Sequence, residues 1–119
     1  MVLYKFAIMN IRQEKIASLL QKELGSFFHK ESRTICKGAM VSVTVIRLSP
    51  DLSIAKVYLS IFGAKDSDEV FENIMNNSST IRYEVGKILR HQLRKTPLFQ
   101  FYIDDSFDYS KKIDTLLNG

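Results

Sequence analysis

Residues 40–62 read MVSVTVIRLSPDLSIAKVYLSIF, two β-branched runs on either side of Ser49-Pro50-Asp51. Proline suits the second position of a turn and aspartate the one after it, so the runs predict an antiparallel hairpin, 40–48 against 54–62. Successive strand side chains point to opposite faces, which puts Val41, Val43 and Val45 with Ala55, Val57, Leu59 and Ile61 on a core-facing surface. Ser42, Thr44, Lys56, Tyr58 and Ser60 fall on the other face, open to water or to a partner.

One apolar sheet face needs helices to cover it, and both flanks supply them. Upstream, Asn10 suits a helix cap, and Ile16, Leu19, Leu20, Leu24, Phe27 and Phe28 recur at helical spacing between Ile11 and His29. Lys15, Ser18, Gln21 and Lys22 lie on the opposite, solvated side of that helix. Downstream, Val70, Phe71, Ile74 and Met75 predict a short helix from Asp68 to Asn76. Asn77-Ser78-Ser79 interrupts it, and a further helix from Thr80 to Lys95 carries Ile81, Val85, Ile88, Leu89 and Leu93 on one arc. After Pro97, Phe99, Phe101 and Ile103 alternate with Gln100 and Tyr102 as a third strand.

The expected order is therefore helix-strand-strand-helix-helix-strand, an α+β domain with a three-stranded sheet covered on one face by three helices. Asp104, Asp105 and Asp108 predict an acidic turn. Ile113, Leu116 and Leu117 predict a last helical turn, so that the tail 104–119 packs back on the body. Residues 1–9 are expected to be a flexible N-terminal extension.

A chain of 119 residues that is 45% hydrophobic can fill a single core, so 1–119 is expected to be one domain. Its formal net charge of +4 points to an anionic partner, nucleic acid or a membrane surface. Cys36 is the single cysteine, which rules out an intrachain disulfide and suits a reducing cytoplasm. The apolar run from Val2 to Met9 contains Lys5 and is too short for a signal core or a membrane span. A cytoplasmic monomer with no membrane attachment is expected.

Candidate chemistry concentrates on the helix after the interruption. At about 100° per residue, Tyr83, Lys87, Arg90 and Arg94 share an arc of roughly 60° opposite the apolar stripe, with His91 and Lys95 at its border and Gly86 at its other margin. Cations there can pair with phosphates, and Tyr83 can stack on a base or sugar. Asn77, Ser78 and Ser79, with Arg82 close by, mark a helix start whose amides can receive an anion. The open sheet face offers a rival platform, Tyr58 and Tyr102 beside Lys56.

Catalytic signals are weak by comparison. His29 and His91 have no local partner, Cys36 lacks a second metal ligand at suitable spacing, and the acidic turn lacks a calcium-loop pattern. No glycine-rich phosphate loop or nucleophile motif is present, so neither a cofactor nor a metal is expected.

Four stretches together resemble the ribosome-binding factor A family: RQEKIASLLQKEL in the first helix, VIRLSPDLSIAKVYLSIFG across the hairpin, IRYEVGKILRHQLRKTPLFQFYIDDS through the last helix and strand, and IDTLL near the end. The similarity runs from Arg12 to Leu117. It implies a type II KH-like fold and a non-catalytic assembly factor that binds the free or immature small (30S) ribosomal subunit near its neck. The implied task is late maturation of small-subunit (16S) ribosomal RNA, including its 5′ end, and some members are linked to growth in the cold. The family carries an Ala-x-Gly kink between its last two helices, and the matching positions here read Asn77-Ser78-Ser79. Members begin close to the first helix, which makes Met9 an alternative start to Met1. The alternative function is a protein-interaction adaptor using the open sheet face or the acidic turn, and a small nuclease built on His29 or His91 is a further rival.

Overall fold

In the computed structural model of the chain, residues 9–104 are described. The elements are α1 (Ile11–Lys30), β1 (Met40–Leu48), β2 (Ile54–Phe62), α2 (Ser67–Asn76), α3 (Ser78–Leu89) and β3 (Leu98–Ile103). Asn10 starts α1 with a capping box: its side chain accepts from the Gln13 N–H, and the Gln13 side chain accepts from the Asn10 N–H, each at 2.8 Å. Gln13 is otherwise buried, and its Nε2 donates to the Leu48 carbonyl at 3.1 Å, so one polar residue both starts the helix and ties it to the sheet.

The sheet order is β1-β2-β3. β1 and β2 form the expected antiparallel hairpin, whereas β3 lies parallel to β2, with Ala55 opposite Phe99 and Val57 opposite Phe101. A parallel partner requires a crossover, and α2 and α3 supply it. α1 lies along β1 and touches α3, α2 packs on β2, and α3 reaches β3, so the helices share one face of the sheet. Phe28, Leu20 and Leu24 from α1, Ile74 from α2, Ile81 and Leu89 from α3, and Val57 and Leu59 from β2 are fully buried between the layers. The predicted element order and fold class hold.

Several boundaries and facings differ from the sequence reading. Val43 faces Leu59 but Val45 faces Tyr58, so Thr44 is an extra residue in β1 and the ladder carries a bulge. Alternation shifts there: Val41 and Val43 are buried, then Ile46 and Leu48, while Val45 leaves the fully buried set. Gln21, assigned to a merely solvated face, donates to the Val43 and Thr44 carbonyls at 2.9 and 3.4 Å, satisfying backbone at the bulge. Ile61 is only partly buried against the core, and Met75 and Ile88, predicted core residues, are 45% and 59% exposed.

The interruption between helices is one residue, not three. Asn77 sits at φ −101°, ψ 13°; its N–H donates to the Asn73 and Ile74 carbonyls, its Nδ2 to Asn73 O at 2.7 Å, and its own carbonyl accepts from Ile81 N–H at 2.9 Å. Asn77 thus closes α2 and opens α3, while Ser78 and Ser79 already belong to α3 and make no side-chain cap. The α2 start moves to Ser67 because Asp66 caps it, accepting from the Asp68 and Glu69 N–H groups.

The largest correction concerns the end of α3, which stops at Leu89 and not at Lys95. The Gln92 and Leu93 N–H groups both donate to Leu89 O at 2.9 Å, turning the chain so that Leu93 is buried. The 90–97 segment then folds back along the helix. Arg82 donates from Nε to the carbonyls of Thr96 and Pro97 (3.2 and 3.1 Å) and from Nη2 to Thr96 O (2.7 Å). Gly86 permits the approach, since a Cβ there would stand 2.8 Å from the Thr96 hydroxyl oxygen. The expected N-terminal extension, the acidic turn beyond Asp104 and the final helical turn lie outside the described residues.

Candidate nucleic-acid interface

Where α3 ends decides which cations are neighbours. Tyr83 is 65% exposed on the helix, and the Lys87 ammonium lies 5.0 Å from its ring centroid while pairing with Glu84 at 3.3 Å. An exposed aromatic with a cation over its face is a usable stacking platform. Arg90 is the C-cap residue, and Arg94 and Lys95 lie past it in the turn. Arg94 therefore drops out of the helical arc, while Arg90, in αR conformation at the C-cap, keeps its helical bearing to Tyr83 and Lys87. Tyr83 and Lys87 form one patch, and Arg90, Arg94 and Lys95 gather around the helix C-terminus, where cations also complement the helix dipole.

The remaining predicted residues separate further. Arg82 is half-buried and its guanidinium is committed to the Thr96 and Pro97 carbonyls, which gives it a structural task. Asn77, Ser78 and Ser79 sit at the opposite end of α3 from Arg90, about 18 Å away at 1.5 Å per residue. Lys56 is exposed on the open face of the sheet, away from α3. On that face Tyr58 and Tyr102 stack, with ring centroids 5.3 Å apart and 25° between planes, and the Arg47 guanidinium lies 5.7 Å from the Tyr58 centroid. The sequence reading identified this tyrosine pair as a platform, and the parallel register of β2 and β3 makes the contact by placing Tyr58 opposite Tyr102.

Tertiary structure adds a site that sequence spacing did not show. An open groove of about 1010 Å³ runs between the start of α1, the hairpin turn and the 92–97 segment. It brings Arg12 and Lys15 of α1 together with Arg94 and Lys95, while Ile16, Leu52 and Leu93 form apolar wall. All four cations are exposed. Among the described residues the ion pairs are Lys37–Glu69 at 2.8 Å and Lys87–Glu84, and neither uses a groove cation. Lys15 was visible only as part of a solvated helix face, and no local signal links residues 12 and 15 to residues 94 and 95.

The groove's acidic residue is Asp51, whose carboxylate accepts from Ser49 Oγ (2.8 Å), Ser53 Oγ (2.7 Å) and Ser53 N–H (3.1 Å). These bonds, the Ser53 hydroxyl first, hold its pKa down at about 2. Cys36 is buried and donates to Phe28 O at 3.6 Å; burial, with Glu31 nearby, pushes its thiol up to about 11. Among the described residues no group of three or more His, Cys, Asp or Glu side chains is placed to hold a metal, and no helix is long and apolar enough to cross a membrane.

Three helices on one face of a mixed three-stranded sheet, with cations gathered at one end, define the class: a small α+β domain with a basic rim. The sequence model of the family described as Ribosome-binding factor A matches residues 12–117, and the chain belongs to that family. It is 39% identical over 109 residues to ribosome-binding factor A of Cytophaga hutchinsonii, covering 92% of this chain and 82% of that protein. With the same factor of Christiangramia forsetii the identity is 43% over 109 residues, covering 91% and 83%. The crystal structure of ribosome-binding factor A from Thermus thermophilus superposes with a TM-score of 0.63 at 16% identity, over 76% of this chain and 94% of that chain, a likeness of fold.

Proposed function

We propose that this protein is a non-catalytic assembly factor that binds the free or immature small (30S) ribosomal subunit in the cytoplasm, as a monomer, and assists late maturation of 16S ribosomal RNA. Family membership supports the ribosome as partner. The observation that carries the RNA contact is the exposed cation group Arg90, Arg94 and Lys95 at the C-terminal end of α3, with Tyr83 and Lys87 one to two turns up the helix. Phosphates take the cations, and a base or ribose stacks on the tyrosine. Asn77, Ser78 and Ser79, at the far end of α3, receive a more distant part of the same RNA.

Cosedimentation with separated small subunits and with whole ribosomes tests this reading. The expected result is pelleting with free small subunits and not with whole ribosomes, weakening as salt is raised. Absence of the protein from the small-subunit pellet at low salt sinks it. A second reading, a protein adaptor, is favoured by the open sheet face, where Met40 is 67% and Phe62 41% exposed beside the Tyr58–Tyr102 stack. Crosslinks from that face to ribosomal proteins, with none from α3 to RNA, support the adaptor.

A further inference from the structure

We infer that the groove between the start of α1, the hairpin turn and the 92–97 segment is a phosphodiester-binding channel for an RNA strand, gripped by Arg12 and Lys15 on one wall and Arg94 and Lys95 on the other. The inference rests on the proposed binding to small-subunit RNA and adds a path for the strand that α3 alone does not provide.

Four exposed cations converge on the groove from segments some eighty residues apart in the chain, and none is paired with a carboxylate among the described residues. Asp51 is the groove's one carboxylate and stays charged, but its oxygens are engaged by Ser49 and Ser53, and four cations against one carboxylate leave the lining net positive. At about 1010 Å³ and open along its length, the groove is at the upper end of small-ligand sites, which commonly span about 300–1,000 Å³, and is far larger than one phosphate needs. A strand carrying several phosphates can use that volume.

Its walls also match a nucleic-acid strand. Ile16 and Leu52, partly exposed, offer apolar contact for ribose or base faces, and the exposed cations of the same lining can take the charged oxygens. Leu52 holds φ +62°, a left-handed conformation that a leucine rarely adopts, and keeps its side chain packed beside the groove. Arg94 and Lys95 join this channel to the α3 patch, since they follow Arg90 directly around the turn. A strand leaving Tyr83 and Lys87 therefore passes the helix C-terminus and enters the groove.

The test measures binding of the full chain to purified small ribosomal subunits across a potassium chloride series, for wild type, Arg12→Ala/Lys15→Ala and Lys22→Ala/Lys65→Ala. The two double variants remove the same charge, all four positions are exposed, and the control pair lies outside the groove. Thermal melts confirm folding. The groove variant should bind on the order of tenfold more weakly and lose about 1.4 from the slope of log K against log salt, at about 0.7 per single-strand phosphate contact. The control pair should keep most of the wild-type slope.

Failure of the wild type to bind overturns the proposed function itself. Wild-type binding with equal losses in both double variants overturns the groove and leaves that function standing. A benzophenone photocrosslinker in place of Ile11, exposed at the groove mouth, separates partner classes: crosslinks to 16S RNA are expected, and crosslinks to ribosomal protein alone overturn the channel.

Discussion

Two reversals of the chain flank the same groove, at residues 49–54 and at 90–97, and they are made by opposite means. In the first, the side-chain bonds come from within the turn: Asp51 binds both serine hydroxyls, Ser49 Oγ accepts from the Ile54 N–H at 3.0 Å, and Leu52 N–H donates to Ser49 O at 2.9 Å, with the Leu98 N–H adding one bond from outside, to Ser53 O at 2.8 Å. In the second, the groups come from elsewhere. Arg82 holds two of its carbonyls, and Gly86 leaves the space that Thr96 fills. The first turn is chemistry of its own residues, whereas the second exists only because α3 is already folded beside it.

The largest effect that would expose this difference comes from Gly86→Val. The new side chain meets Thr96 where even a Cβ is too close, so the 90–97 segment is pushed off the helix, and a loss of about 3 kcal/mol in denaturant unfolding is expected. An unchanged unfolding midpoint would show that the segment does not depend on α3. Arg82→Ala should cost about 2 kcal/mol, because it leaves the Thr96 and Pro97 carbonyls without their charged donor. Its signature in hydrogen exchange is loss of protection around Leu93 and not in the hairpin.

Asp51→Asn should lower the melting temperature less than Arg82→Ala does, and only above acid pH. The folded-state pKa of Asp51 is lowered to about 2 from an ordinary 3.8, so its contribution is fully present above that ordinary value and disappears as pH falls through about 2. Melting curves of wild type and variant should therefore converge towards pH 2. A difference that persists there would assign the turn to something other than the carboxylate. The smallest effect is expected from Leu52→Gly, where relief of the left-handed backbone offsets lost burial and leaves less than about 1 kcal/mol net.

The same contrast explains which parts of the fold and site could be read in advance. The hairpin with its turn at Ser49-Pro50-Asp51, the Asn10 cap and the third strand are legible in short local stretches, and all are present. The bulge at Thr44 was hidden because its support, Gln21, is on another element. The end of α3 was hidden because residues 90–95 have good helical character, and only the burial of Leu93 and the grip of Arg82 show why the chain turns. Once it turns, Arg94 leaves the projected arc of Tyr83, Lys87 and Arg90, and with Lys95 it joins Arg12 and Lys15 in the lining of one groove.

Periodicity, turn chemistry and charge by themselves determined the element order, the hairpin and the basic character of α3 and the turn after it, since each depends on spacing along a local stretch. Family likeness, too, was present in the order of its motifs. Only the tertiary structure decided that β3 runs parallel to β2 and which cations share a surface. The physical reason is that charges some eighty residues apart become neighbours only when the core beneath them is packed, and no period in the sequence encodes that distance.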